Sequence, residues 1–257
     1  MGEGRGRTAG VAALLVAAWA GAAPAAQAQG LDVERGPRAY VGLNLAVADP
    51  VGDFGRMVDQ GFGLELEGRF PVVADGVLSI RLDGGFIIYG HESKAVCFPA
   101  PIGCRVGAEL NTSNNIAFVG VGPELAVPGP VSPYIHAGVG LSYFATESSL
   151  DGLDDSESYF RTRNYSDLVT ALRAGGGLRF RVGGTSHGPV LVDLGATYHR
   201  NGVAEYLREG DIVDHPDGSI TLFPNRTEAN LVVFRAGVSF GLGGRSGRDR
   251  DHPGHRR

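Results

Sequence analysis

Eight segments of about ten residues, which alternate between apolar and polar or glycine positions, less cleanly in the fourth, restrict most strongly how this chain can fold. Alternate side chains of a β-strand point to opposite faces, so each segment predicts a strand with one apolar and one polar face. This length suits a tilted membrane-spanning strand, whereas strands of soluble sheets usually have about five or six residues. The segments are AYVGLNLAV (39–47), GFGLELEGRF (61–70), VLSIRLDGGFIIY (77–89), NNIAFVGVGPEL (114–125), YIHAGVGLSYF (134–144), LRAGGGLRFRV (172–182), VLVDLGATYH (190–199) and LVVFRAGVSFGL (231–242).

The connections between these segments alternate strictly in length. Short turns rich in glycine or proline follow the second, fourth and sixth segments: PVVADG, AVPGPVS and GGTSHG. The other connections are long and run over 49–60, 91–111, 146–167 and 201–228. This pattern predicts an all-β fold, an antiparallel up-and-down transmembrane β-barrel of eight strands with short periplasmic turns and long extracellular loops. The last two loops are long enough to contain a further hairpin, so ten strands stay open as an alternative.

The apolar face of each strand is predicted to contact lipid. In a soluble up-and-down barrel such as a lipocalin, the apolar face would point inward instead. The composition of the polar face favours the membrane barrel, because it holds glycine, serine and a few charges, and the whole chain has one lysine, Lys94. Aromatic residues also lie near both ends of the strands on the apolar face, as expected at two membrane interfaces. They are Tyr143 and Tyr198 at the loop end, and Phe70, Phe180 and Phe240 at the turn end.

The polar faces carry five carboxylates and six arginines that would point into the barrel. Because an isolated charge is costly in such an interior, we expect a network of ion pairs between guanidinium groups and carboxylates. An eight-stranded barrel encloses a space that side chains just fill, which favours a structural plug over the lining of a narrow passive channel. The predicted network consists of Glu65, Glu67, Arg69, Arg81, Asp83, Glu124, Arg173, Arg179, Arg181, Asp193 and Arg235.

One stretch of the chain resembles a known family. LAVADPVGDFGRMVDQGFGLELEGRFPV, residues 45–72, is similar to the first hairpin of the small eight-stranded outer-membrane barrels, such as outer membrane protein A and its single-domain relatives. The similarity lies in a Pro-x-Gly-Asp-Phe turn and in the Gly-Phe-Gly sequence with which the second strand begins. The overall pattern extends over residues 38–242. The resemblance implies the architecture of that family and no particular activity. The family commonly ends on an aromatic residue, whereas here Phe240 is followed by a polar tail.

The two ends of the chain predict export. Residues 1–28 have the basic start, apolar core and Ala26-Gln27-Ala28 cleavage site of a secretory signal peptide, and 29–37 would be a short N-terminal periplasmic segment. The barrel would occupy 38–242, and 243–257 would be a disordered basic periplasmic tail. In an exported chain, Cys97 and Cys104 predict a disulfide. The predicted location is the outer membrane of a Gram-negative-type bacterium.

No catalytic, cofactor or metal site is predicted. Tyr198-His199-Arg200-Asn201 faintly resembles the His-x-Ser-Asn motif of lipid A deacylases, but the serine nucleophile is absent. We therefore expect His199 to be a rim residue bonded to loop backbone, and a lipid-modifying enzyme remains a minor alternative. The aspartates of GDIVDHPDGS, from Gly210, do not have the spacing of an EF-hand.

The expected partners are outer-membrane lipids and lipopolysaccharide. The formal net charge of −5 argues against nucleic acid as a partner. The loops over 146–167 and 201–228 are acidic, and an extracellular partner would bind there.

Overall fold

The computed structural model describes residues 36–73, 76–96, 108–152, 158–185, 187–208, 210–215 and 219–243. These residues form strands almost throughout, with one 3₁₀ helix at Phe54–Arg56. The strands are β1 (Ala39–Pro50), β2 (Gly61–Pro71), β3 (Leu78–Val96), β4 (Ala108–Ala126), β5 (Val131–Gly152), β6 (Ser158–Thr185), β7 (Gly188–Asn201), β8 (Val203–Tyr206), β9 (Ile212–Asp214), β10 (Ile220–Leu222), β11 (Asn225–Glu228) and β12 (Leu231–Leu242).

Eight of these strands close into a barrel in the order β1-β12-β7-β6-β5-β4-β3-β2. Every neighbouring pair is antiparallel, and β1 closes the ring by pairing with β12, for example Val41 with Phe240. The predicted eight-stranded up-and-down barrel is therefore confirmed. The remaining strands form two small sheets, β8 with β11 and β9 with β10, within the last long connection. That loop contains the extra hairpins that its length allowed, but they lie outside the barrel sheet.

The strand register determines the tilt and width of the barrel. A row of paired residues that starts at Arg200 on β7 and is followed once around the barrel returns to β7 at Val190, ten residues from its start. Between these two ends the row passes through Leu172, Val139, Val121, Leu82, Gly68, Val41 and Phe240. With strands about 4.8 Å apart and a rise of about 3.3 Å per residue, this offset tilts the strands by about 40°. The corresponding radius is about 8 Å, so the interior has room for side chains and little else.

The two faces of the barrel have opposite character. The outer face exposes large apolar side chains, among them Leu45 (68 % exposed) and Ile135 (63 %). The inner face buries charged ones, including Glu65 (1 %), Arg179 (1 %) and Asp193 (0 %). The predicted aromatic residues point outward, with Phe70, Phe240 and Tyr198 exposed and Phe180 and Tyr143 half-buried. This distribution excludes the soluble barrel, because water would face the apolar side.

The loop end of the barrel is extended by its own strands. β5 has 22 residues and β6 has 28, so the loop predicted over 146–167 is largely a continuation of these two strands. The β8 hairpin is attached to this extension, since the Tyr165 hydroxyl donates to the Glu205 carboxylate and the Glu205 N–H donates to Asp167 Oδ2 at 2.8 Å. The bond to Glu205 raises the pKa of Tyr165 to about 12.

Several predictions fall on parts of the chain that the structure does not describe. The signal peptide (1–28), nearly all of the N-terminal segment (29–37), the tail beyond Gly243, and both Cys97 and Cys104 lie outside the described residues. The signal peptide, the tail and the disulfide therefore stay predictions.

No helix in the described part of the chain is long and apolar enough to cross a membrane.

Candidate functional site

Ten of the eleven predicted interior charges meet in the half of the barrel nearest the short turns. Their side chains are buried or nearly so, and they comprise five carboxylates and five arginines, so their charges balance. We call this set the charge cluster: Glu65, Glu67, Arg69, Arg81, Asp83, Glu124, Arg173, Arg179, Asp193 and Arg235.

Arg179 makes the most complete set of contacts in the charge cluster. Its Nη1 and Nη2 donate to the two carboxylate oxygens of Glu124, each at 2.7 Å, and its Nε donates to Asp193 Oδ2 at 2.7 Å. The guanidinium also lies over the Tyr134 ring, 3.6 Å from the ring centre. A planar guanidinium is suited to such two-point contacts, and lysine could not reproduce them. Arg179 on β6 thereby joins β4, β5 and β7.

Arg81 is the second centre of the charge cluster. Its Nη2 donates to Glu65 Oε1 at 2.9 Å, and its Nη1 lies 2.7 Å from Glu67 Oε2 and 3.3 Å from Glu124 Oε2. Glu124 is therefore shared between Arg81 and Arg179. Because the same carboxylate serves two arginines, the contacts form a continuous network.

The remaining arginines carry the network across the barrel. Arg173 on β6 donates to Asp83 on β3, and Arg235 on β12 lies 3.6 Å from Glu65 Oε1 and 3.7 Å from Asp193 Oδ1. Arg69 lies 3.4 Å from Glu67 and stacks over the Tyr40 ring at 4.2 Å. The contacts of Arg173 with Asp83 and of Arg235 with Glu65 link strands that are not neighbours in the sheet, so these two contacts act as cross-braces of the barrel interior.

Two glycines make room for Arg173. Gly120 and Gly140 are paired between β4 and β5 and face the interior. A Cβ atom at Gly120 would lie 2.5 Å from Arg173 Nη1, and one at Gly140 would lie 3.1 Å from Arg173 Cζ. Both glycines therefore border the space that the guanidinium occupies, and at Gly140 the closest obstacle to a Cβ atom is the Val119 backbone carbonyl oxygen.

Arg181 does not join the charge cluster. Its side chain is exposed, although its position in the alternation placed it on the inner face. The pairing between β6 and β7 shifts between Arg181 and Gly183, and the strand ends at Thr185. At this irregular rim a long side chain can reach water, so the arginine is hydrated there. Its exposure also reduces the predicted six interior arginines to five.

Neutral side chains that the sequence analysis left out complete the network. The Tyr134 hydroxyl donates to Asp193 Oδ1 at 2.7 Å and accepts from Arg235 Nη2 at 2.8 Å. Arg69 Nη2 donates to Ser239 Oγ at 3.3 Å, and His136 Nε2 lies 3.2 Å from Thr197 Oγ1. Tyr134 lies two residues before His136 on β5 and therefore on the same face of the strand. Counting the polar face of this segment from its first residue would have placed Tyr134 inside the barrel.

Above the charge cluster, towards the long loops, the interior becomes apolar and aromatic. Phe54 is fully buried, and its ring centre lies 4.9 Å from that of Tyr206, 5.8 Å from Tyr89 and 6.1 Å from Phe144. We call these four residues the aromatic cluster. Phe54 comes from the β1–β2 connection and Tyr206 from β8, so two loops reach inward and cover the barrel at this end.

A closed antiparallel barrel with an apolar exterior and a charged interior spans a membrane without leaving backbone groups unpaired. The fold is that of a small outer-membrane β-barrel. No protein-family model matches the sequence, and no curated protein matches it either. Solved structures of this architecture do match, at low sequence identity.

Neisserial surface protein A is similar at 16 % identity, with a TM-score of 0.44, over 79 % of this chain and 97 % of the other. The attachment invasion locus protein of Yersinia pestis is 15 % identical, with a TM-score of 0.44, over 80 % of this chain and 98 % of the other. A major outer membrane protein of Thermus thermophilus is 14 % identical, with a TM-score of 0.43, over 79 % of this chain and 98 % of the other. At these identities the similarity concerns the fold alone.

His199 lies inside the barrel and not at its rim. It is 2 % exposed, and its ring packs edge-on against Phe118 with centres 5.0 Å apart. The expectation of a rim histidine bonded to loop backbone was therefore wrong, because β7 continues to Asn201 and keeps position 199 on the inner face. A histidine enclosed in this way is not accessible to a lipid substrate in the membrane.

The interior leaves little free space around the charge cluster. A cavity bordered by Arg81, Asp83, His136 and Arg173 has a volume of about 10 Å³, which is about one water molecule. The described residues contain no group of three or more His, Cys, Asp or Glu side chains that could hold a metal ion.

Shortening Phe54 to leucine tests the aromatic cluster. We expect Phe54→Leu to lower the free energy of unfolding by about 1 kcal/mol, because it removes edge-to-face contacts with three rings but keeps the site apolar. Urea unfolding of the refolded barrel in lipid vesicles measures the change. Phe223→Leu is the matched control, since Phe223 is 57 % exposed and its substitution should change stability by less than about 0.5 kcal/mol. Equal effects of the two substitutions would show that Phe54 does not pack inside the barrel.

Proposed function

We propose that the protein is a plugged barrel: a structural outer-membrane protein whose lumen does not conduct and whose long loops provide a surface for interactions. The observation that supports this most strongly is the charge cluster, in which arginines from β3, β6 and β12 reach carboxylates on other strands. Ions would have to displace these paired groups to pass. Displacing a buried guanidinium from its carboxylate is costly, because each charge would then be left unpaired in the interior.

The aromatic cluster supports the same proposal from the loop end. Phe54, Tyr89, Phe144 and Tyr206 lie between the charge cluster and the extracellular loops, and they would oppose the entry of hydrated ions. An open porin, by comparison, has about twice as many strands and a water-filled interior. With a radius of about 8 Å before side chains are counted, this barrel resembles the filled type.

The extracellular loops support an interaction role, but less through their acidic character than the sequence suggested. Described carboxylates there are used within the loops: Glu147 pairs with Arg163 at 3.4 Å, Glu205 with Arg226 at 3.7 Å and Asp211 with Arg208 at 3.5 Å. The loops also expose large apolar side chains, including Phe160 (63 %), Phe223 (57 %) and Ile220 (50 %). Phe160 and Ile220 border the same cavity, and apolar side chains gathered at an aqueous surface favour protein or lipid contacts.

The proposal assigns no catalytic role. His199 has no neighbouring serine in the sequence and is enclosed with Phe118. Incubation with lipopolysaccharide should therefore release no fatty acid, and release that stops on changing His199 would support the enzymatic alternative instead.

Conductance in planar lipid bilayers tests the plug directly. We expect the refolded barrel to give no steady conductance, while an open porin inserted under the same conditions gives clear current steps. A parallel sample must show the heat-dependent gel shift of a folded barrel, which ensures that an absence of conductance does not result from misfolding. Steady conductance would overturn the plug in favour of the narrow channel. Its loss on replacing Arg179 would then show that the charge cluster lines the pore.

A further inference from the structure

A groove runs along the lipid-facing surface of the barrel across β3 to β7. It has a volume of about 780 Å³ and a largely apolar lining that includes Leu82, Val121, Val139 and Leu172. A glycine pair, 120 and 140, contributes only backbone to this wall, because both positions face the barrel interior. A membrane-facing surface is covered by lipid, so the occupant of this groove is part of a lipid molecule.

The register shows that the groove descends through the outer half of the membrane. Its lining follows the row of paired residues from Arg200 through Leu172, Val139 and Val121 to Leu82. Because the strands tilt by about 40°, each step along this row lowers the position by about 3 Å, so Leu82 lies about 12 Å deeper than Arg200. A groove with this slope and depth fits an acyl chain that enters at the extracellular interface.

Arg200 stands at the upper end of the groove. Its side chain is exposed on the outer face of β7. It lies two residues beyond Tyr198, one of the aromatic residues at the loop-end membrane interface. Among the described residues, no carboxylate forms an ion pair with it. A guanidinium at this level can form two parallel hydrogen bonds with a phosphate group.

A carboxylate lies at the same mouth. Glu228 borders the groove together with Arg200, and its Oε2 accepts a hydrogen bond from Asn230 Nδ2 at 3.1 Å. A carboxylate repels phosphate but accepts hydrogen bonds from sugar hydroxyls. The pair of Arg200 and Glu228 therefore suits a headgroup that carries both a phosphate and a sugar.

We propose that this groove is a binding site for one phosphorylated glycolipid of the outer leaflet, with its phosphate on Arg200, a sugar hydroxyl on Glu228 and an acyl chain along Val139 and Val121. The site is on the outside of the barrel and is independent of whether the lumen conducts.

Native mass spectrometry of the full folded chain in detergent tests the site with three probes: phosphorylated lipid A, phosphatidylglycerol and phosphatidylcholine. We expect retention of one lipid A per barrel, in preference to the other two lipids. Arg200→Gln should weaken lipid A retention by about tenfold, because it removes a charge-assisted contact. Val139→Trp should reduce retention of lipid A by filling the groove.

Two further variants separate this site from general charge attraction. Arg181→Gln removes an exposed arginine at the opposite rim and should leave retention unchanged. Glu228→Gln should reduce the preference for lipid A over phosphatidylglycerol. All variants should keep the heat-dependent gel shift. Equal losses for Arg200→Gln and Arg181→Gln would overturn the proposal, as would equal retention of lipid A and phosphatidylglycerol by the unaltered chain.

Discussion

Arg179→Leu is expected to lower the free energy of unfolding by about 3–5 kcal/mol. The substitution leaves Glu124 and Asp193 buried at 1 % and 0 % exposure without their closest cationic partner. Such uncompensated charges are far more costly than the loss of an exposed ion pair, because the interior cannot hydrate them. The stability of Arg179→Lys should fall between those of the unaltered chain and Arg179→Leu, since a single ammonium cannot contact both oxygens of Glu124 and Asp193 with the same geometry.

Urea titration of the refolded barrel in lipid vesicles measures this effect, with the folded fraction read from the unheated gel band. Arg181→Leu is the matched control: it is the same substitution two residues along β6, at an exposed position, and should change stability by less than about 0.5 kcal/mol. If both leucine variants were equally stable, the charge cluster would not hold the barrel together. A large loss in Arg181→Leu would place that residue inside after all.

Leu194→Arg is expected to destabilise the membrane-inserted barrel by about 2–4 kcal/mol. Leu194 is 49 % exposed on the outer face and lies near the middle of β7, between Val190 at the turn end and Tyr198 at the loop end. The added guanidinium would therefore enter the hydrocarbon region close to the membrane midplane. A long side chain can move its charge towards an interface, which limits the cost but does not abolish it.

The same unfolding assay measures this prediction, and Val203→Arg is its control. Val203 is 51 % exposed but lies beyond the end of β7, where the expected cost falls to about 0–1 kcal/mol. A Leu194→Arg barrel as stable as the control would indicate that the outer face does not contact lipid. The comparison depends on depth alone, since both substitutions exchange an exposed aliphatic residue for arginine.

The barrel could be predicted from the sequence because strand parity has only two outcomes. Once the alternation placed Glu65 and Asp193 opposite a row of exposed aliphatic residues, ten of the eleven predicted interior charges followed. The prediction was wrong where the alternation breaks. Arg181 still pairs in register with Leu191, but the β6–β7 pairing shifts directly after it, and at this irregular rim its long side chain reaches water.

The loop end of the interior was harder to predict because both faces of the strands are apolar there. In β4, Ile116 and Phe118 point inward while Val119 and Val121 point outward, which explains why this segment alternates poorly. Phe54 could not be placed either, since a loop residue has no parity and its burial depends on contacts with distant rings. The partners of each arginine were likewise unpredictable, because they depend on the offset with which the barrel closes.

The most direct test of a lipid-facing barrel is the location and gel behaviour of the full chain expressed in a Gram-negative host. We expect the protein in the outer-membrane fraction. It should migrate as a compact band when unheated and shift to its denatured position on boiling, because a closed barrel resists detergent. Recovery from the soluble periplasm, with the same band before and after boiling, would contradict this account.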